Sequence, residues 1–187
     1  MYSTRRMTQL GIIAIAALAL GACAPMTVNS ITARGVDMKQ LRTYAWAPDD
    51  RLETGDPRLD NNPFFLDRLQ GDVEKHLAAK GLEKVDNGTA ALTLHYHASV
   101  NQKLDLNNME TEYTANQQYT NDDSNHGPLV YDEGSLVLDI VDARTQKLVW
   151  RGWAEGSIDG VIGRQDRMEE IVDRAVARIF EKFPGGL

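Results

Sequence analysis

His95 and His97 come nearest, by type and spacing, to a metal site. Two imidazoles at i and i+2 of an extended strand project from the same side, and His126 or Asp122 could supply a third ligand. No second paired motif completes the set, and a solvated strand face accounts for both histidines, so no metal is assigned. Asn121, Asp123, Asn125 and Asp132 loosely follow calcium-loop spacing, but Gly127 stands one residue late and the bidentate Glu is missing. Ordinary Asn/Asp loop chemistry explains them. For nucleophilic catalysis there is no Gly-x-Ser-x-Gly elbow and no spare Cys, and Gly156, Gly160 and Gly163 are wrongly spaced to cradle a phosphate. Ser135 and Ser157 follow Gly at strand edges, which turns explain. The expectation is a non-enzyme without a cofactor, a hydrolase with scattered catalytic residues being the residual reading.

One reactive residue remains, the sole cysteine Cys23, and its context is instructive. Residues 2–9 are polar and hold Arg5 and Arg6; Leu10 to Leu20 is an eleven-residue run of Leu, Ile, Ala and Gly only. This is the plan of a secretory signal, too short to span a ~30 Å hydrocarbon core as a permanent helix. The following Leu20-Gly21-Ala22-Cys23 resembles the lipobox of bacterial lipoproteins. That resemblance implies diacylglyceryl transfer to the Cys23 sulfur, cleavage between Ala22 and Cys23, and acylation of the new amino terminus by a chain such as palmitate. At about 0.8 kcal/mol per buried methylene, two or three chains hold far more firmly than one. Ordinary secretory cleavage nearby and an uncleaved anchor are the competing readings; twin-arginine export fits poorly because Met7, Thr8 and Gln9 follow the arginine pair. Ala24 occupies the lipoprotein sorting position, where Asp would favour the inner membrane, so the expected address is the periplasmic leaflet of the outer membrane.

Charge narrows the partners. The 20 Lys and Arg against 27 Asp and Glu leave a net charge of -7. Residues 1–22 contain two of the cations and no acid, so the chain from Cys23 onward carries -9. Such a balance, without a Lys/Arg cluster, lacks the electrostatic footprint of a nucleic-acid binder. With Cys23 acylated no disulfide can form, and a hydrophobic core must hold the fold.

The elements that would build that core are legible in part. The expected organisation is a signal peptide over 1–22, a lipidated tether over 23–27 and one domain over 28–187. A first strand is placed at Val28, an aromatic strand at Thr43 to Trp46, and a turn-rich loop over Asp49 to Asn61. Asn62 and Pro63 start a helix whose Phe65, Leu69, Val73 and Leu77 recur every four residues, with Gly81 as its left-handed stop. Leu92, Leu94, Tyr96 and Ala98 alternate with polar residues in a half-buried strand. Asn101 to Glu133 reads as a long irregular connection, with a hairpin tip as the variant reading. A hairpin of Leu136–Asp142 and Leu148–Glu155 follows, then a helix capped by Asp166 with Glu169 in a capping box and a stripe through Met168, Ile171, Val172, Ala175, Val176, Ile179 and Phe183. The expected fold is α+β: an antiparallel-dominated sheet with two helices packed on one face, in strand-helix-strand-hairpin-helix order.

If helices cover one face only, the other exposes part of the set Val137, Val141, Val149 and Trp153, and contiguous exposed apolar surface marks a partner or ligand site. Burial of that set beneath residues 101–133 or Val28 to Ile31 is the alternative.

Asp37 to Trp46, the helix end Lys80-Gly81-Leu82 and the stretch from Gly134 to Gly152 together resemble the bacterial lipoprotein family known as domain of unknown function 4136. Ala91 departs from the Asp common among relatives. The resemblance implies an envelope location and a sheet-plus-two-helix fold, and carries no catalytic residue. The expected role is a non-catalytic interaction or accessory module of the cell envelope, anchored in the membrane by its lipid, with an envelope protein as partner; the alternative is a binding protein for a small apolar ligand or lipid.

Overall fold

In the computed structural model the described residues are 26–36, 41–48, 54–85, 88–104 and 130–184. Among them are six strands and three helices: β1 (Met26–Thr32), β2 (Thr43–Trp46), α1 (Pro57–Asp60), α2 (Pro63–Ala79), β3 (Glu83–Lys84), β4 (Leu92–Leu104), β5 (Val130–Asp142), β6 (Lys147–Ser157) and α3 (Gln165–Glu181). The strands form one sheet in the order β1-β6-β5-β4-β2-β3.

This corrects the expected architecture. The sheet is mixed, not antiparallel-dominated: β1, β6, β5 and β4 pair antiparallel, whereas β2 lies parallel to both β3 and β4. The cause is α2, whose length carries the chain back along the sheet so that the next strand starts at the end where β2 started. Glu74 of α2 fastens this unit, accepting hydrogen bonds from the Trp46 indole at 2.9 Å and the Lys84 ammonium at 2.5 Å. β3 has two polar residues and offers no alternation by which to read it as a strand.

The helices number three, because part of the expected loop before Asn62 is α1. Asp56 caps it, accepting from the Arg58 amide at 2.8 Å, and Pro57 holds its first position. This repeats the Asn62-Pro63 arrangement, where the Asn62 carboxamide accepts from the Phe64 amide at 3.1 Å. At the far end of α2 Gly81 takes a φ of +84°, as the left-handed stop requires. α3 differs from expectation: its N-cap is Arg164, which makes no side-chain cap bond, and Asp166 lies inside the first turn.

Two further boundaries move. β1 begins at Met26, two residues before the expected strand, so Met26 and Thr27 leave the expected tether. The irregular connection shrinks because β4 and β5 continue pairing out to Leu104 and Val130.

All three helices deliver their buried residues to one core. Leu69, Val73 and Leu77 of α2 are fully buried against Val172, Val176 and Ile179 of α3 and against Tyr44, Leu92, Leu94, Leu138, Ile140 and Trp150 of the sheet. Trp150 is the largest of these, wedged between Phe180 and Phe183 at centroid distances of 6.0 and 5.0 Å. Gly152 makes room for it: a Cβ there would overlap both the indole and an Ile179 methyl.

Candidate functional site

Register assigns each strand residue to a face. The rows Ala98–Leu136–Ala154–Val28 and Tyr96–Leu138–Gly152–Ser30 look into the core. The rows His97–Val137–Trp153–Asn29 and His95–Asp139–Arg151–Ile31 therefore look the other way. No described helix contributes to that second face.

Three of the four residues expected to share an exposed apolar surface meet there. Val137 and Trp153 are direct cross-strand partners, Val141 lies farther along the same face of β5, and all three are half-buried. Ile31, 56% exposed, and Leu148 enlarge the set; neither was singled out by sequence reasoning, although alternation along β1 would have pointed to Ile31. Val149 does not belong to it. A register shift between Ile140 and Val141 in the β5–β6 pairing lets Val149 and Trp150 both turn inward, and Val149 is 1% exposed. Strict alternation cannot foresee such a bulge. Of the two expected covers, Val28 to Ile31 does not lie over the face, since it is edge strand β1 and widens the sheet, and residues 105–129 of the other lie outside the described residues.

Charge organises the centre of this face. The Arg151 guanidinium forks onto Asp139 at 2.6 and 2.5 Å, and that hydrogen bond holds the arginine's pKa above its ordinary value. Asp139 is 6% exposed although it faces away from the core. His95 and His97 stand opposite Asp139 and Val137. Among the described residues no group of three His, Cys, Asp or Glu could hold a metal. The other ligand candidates, Asp122 and His126, lie outside the described residues, as do Asn121, Asp123, Asn125 and Gly127. Asp132 is described, and its amide donates to Asp159 at 2.8 Å. Ala22 and Cys23 likewise fall outside the described residues. Among those described, no helix is long and apolar enough to cross a membrane.

On the opposite side of the sheet, where helices and strands meet, lies a cavity of about 80 Å³. Its sheet wall is carved by small residues at adjacent inward positions, Ala98, Gly134, Ala154 and Gly156; Met26, Phe65, Ile171, Val172 and Ala175 line it further. Its one buried polar side chain, Thr54, is already engaged: the hydroxyl lies 3.1 Å from the Asp56 amide, which donates to it. Ser99, Ser135 and Glu155 lie at the border, with side chains directed by register to the other face. Alternation predicts inward Ala98, but Gly134 and Gly156 are silent about what they face.

The seam between α2 and α3 carries the strongest electrostatic perturbation. Arg68 forks onto Asp173 and lies 3.3 Å from Asp72. Burial, with the hydrogen bond and charge of Asp173 behind it, raises the Asp72 carboxyl to about 6; the Arg68 hydrogen bond lowers Asp173. This cluster bridges two helices and opens onto neither the cavity nor the second sheet face.

Comparison with known proteins follows the same lines. A family described as Domain of unknown function (DUF4136) matches residues 28–185. No curated protein matches the chain. Among solved structures, a DUF4136 family protein from Bacteroides thetaiotaomicron is 14% identical, with a TM-score of 0.50 over 81% of this chain and 94% of that one. A PDZ domain protein from Parabacteroides distasonis is 17% identical, with a TM-score of 0.51 over 91% of this chain and 39% of that one. A PelC dodecamer from Paraburkholderia phytofirmans is 9% identical, with a TM-score of 0.48 over 87% of this chain and all of that one.

Proposed function

The chain belongs to the DUF4136 family, and from that premise we propose that it is a lipid-anchored, non-catalytic module of the bacterial cell envelope. In this reading acylated Cys23 holds it in the periplasmic leaflet of the outer membrane, and the face of its sheet that no described helix covers receives a partner protein. The single observation that carries the docking half is the meeting of Val137, Trp153 and exposed Ile31 beside the Asp139–Arg151 pair. An apolar centre with an ionic fork within it is the pattern of a protein interface, where aromatic residues and Arg dominate the contact energy. The anchoring half is supported by the lipobox-like segment and by reach: three residue steps from Cys23 to Met26 extend at most about 10 Å, so β1 would lie close to the bilayer.

Two measurements test this. Cells fed radioactive palmitate should label the chain, and label should vanish in Cys23→Ser; an unlabelled wild-type chain defeats the anchor. A photocrosslinking residue at position 153 should capture a discrete envelope protein in intact cells. Trp153→Ala should cost about 1 kcal/mol of stability or less while abolishing the complex, whereas Trp150→Ala should cost about 3–5 kcal/mol as a buried Trp does. A Trp153→Ala cost as large as that of Trp150→Ala would assign Trp153 to packing and defeat the docking face.

A further inference from the structure

We infer that the cavity between the sheet and the helices is a binding site for the hydrocarbon tail of a single-chain amphiphile, such as a medium-chain fatty acid. Three observations converge on that chemistry. First, the space is built into the sequence: Ala98, Gly134, Ala154 and Gly156 are small at four neighbouring inward positions of a sheet whose next inward row holds Tyr96 and Leu138. The Ile158 side chain takes up the space above Gly134, but in a close-packed interior Ala98, Ala154 and Gly156 still leave room beside it, and that remainder is the cavity.

Second, the walls accept no polar atom. The Thr54 hydroxyl is bonded to Asp56, and its carbonyl accepts from the Val100 amide at 2.8 Å, so neither is directed at a ligand. The buried part of an occupant must be hydrocarbon, with any head group left outside. Third, about 80 Å³ is roughly half the size of an engineered apolar cavity that takes up benzene. The space suits a chain end of a few carbons better than a ring. Met26 in its wall lies three residues after Cys23, which, on the anchored reading above, sets the cavity beside a bilayer rich in such amphiphiles.

The test uses the full chain carrying Cys23→Ser, free of detergent, so that its outcome does not depend on acylation. With methyl groups labelled for NMR, octanoate should shift Met26, Ala98, Leu136, Ala154 and Val172 saturably, while Val137 and Val141 on the other face stay still. Xenon, which enters dry apolar cavities, should move the same methyls. Ala154→Leu should fill the space, abolish both responses and raise Tm by about 2–4 °C; Ala98→Val should act in the same direction, more weakly. Shifts confined to Val137 and Val141, no saturable response, or a lowered Tm in both filling variants would each overturn the site. Palmitate labelling of Cys23 decides the anchor separately.

Discussion

Individual side chains in this protein are governed by which neighbours the fold brings to them, and Asp72 shows it best. Burial and the adjacent Asp173 raise its carboxyl to about 6, while Arg68 and Lys75 oppose the shift. A folded-state pKa above the unfolded value means that the native state holds the proton more tightly. The stabilisation is therefore complete below the unfolded value of 3.8 and is lost as pH rises through about 6. Asp173, lowered by its Arg68 hydrogen bond, works in the opposite sense: its contribution is present above pH 3.8 and fades as pH falls through its depressed folded value. Asp72→Asn should remove the first dependence and, because Asp72 also helps to lower Asp173, weaken the second, which acts only at pH values below 3.8. Relative to wild type, the variant should gain on the order of 1 kcal/mol between pH 4.5 and pH 8, a figure reduced for partial exposure to solvent. Urea midpoints of both proteins at the two pH values check this; a constant difference across that interval rejects the assignment. Nothing at positions 68, 72 and 173 announces this triad in the sequence, because 101 residues separate Asp72 from Asp173 and only the packing of α2 on α3 joins them.

Among the elements, helices were legible where they carry their own signals and illegible where those signals are borrowed from tertiary context. α2 has an Asn cap, a Pro at its first position, a four-residue apolar stripe and a glycine stop, and each does what the residue type implies. α3 has the stripe but starts from Arg164 without a side-chain cap, so its placement rests on Met168, Val172, Val176 and Ile179 packing into the core. The two ends should therefore respond oppositely to cap chemistry. Asn62→Ala should destabilise by about 1 kcal/mol, while Arg164→Asn should stabilise by about 0.5–1 kcal/mol because it places an acceptor at the N-cap itself, where the Arg164 side chain accepts nothing. Chemical denaturation of the two variants reads both signs; a neutral Asn62→Ala would show that α2, like α3, is held by packing alone. The strands divide in the same way. Alternation revealed β4, and the turn before β6 revealed the β5–β6 hairpin, whereas β3 and the bulge at Val149 have no local signature.

At the scale of the molecule, the sheet holds its strands with unequal strength. β5 is flanked on both sides by long antiparallel partners, while β1 and the two-residue β3 form the edges. Amide hydrogen exchange should be slowest for inner residues of β5 such as Leu138 and Ile140 and faster by orders of magnitude in β3, since edge pairs open without global unfolding. Equal protection of β3 and β5 would contradict this order. The same geometry separates two surfaces by one layer of backbone: a helix-covered face with an apolar cavity, and a face that no described helix covers, where Trp153 and Val137 meet. Their separation is what allows the docking and tail-binding proposals to be tested independently. The amino-acid sequence alone determined the family resemblance, the stripe and limits of α2 and the β5–β6 hairpin, because each follows from residue type and short-range spacing. The tertiary structure decided the parallel seams around β2, the inward turn of Val149, the Asp72–Asp173 contact and the cavity. Each of these depends on residues distant in the chain coming within a few ångströms, and no local periodicity encodes that approach.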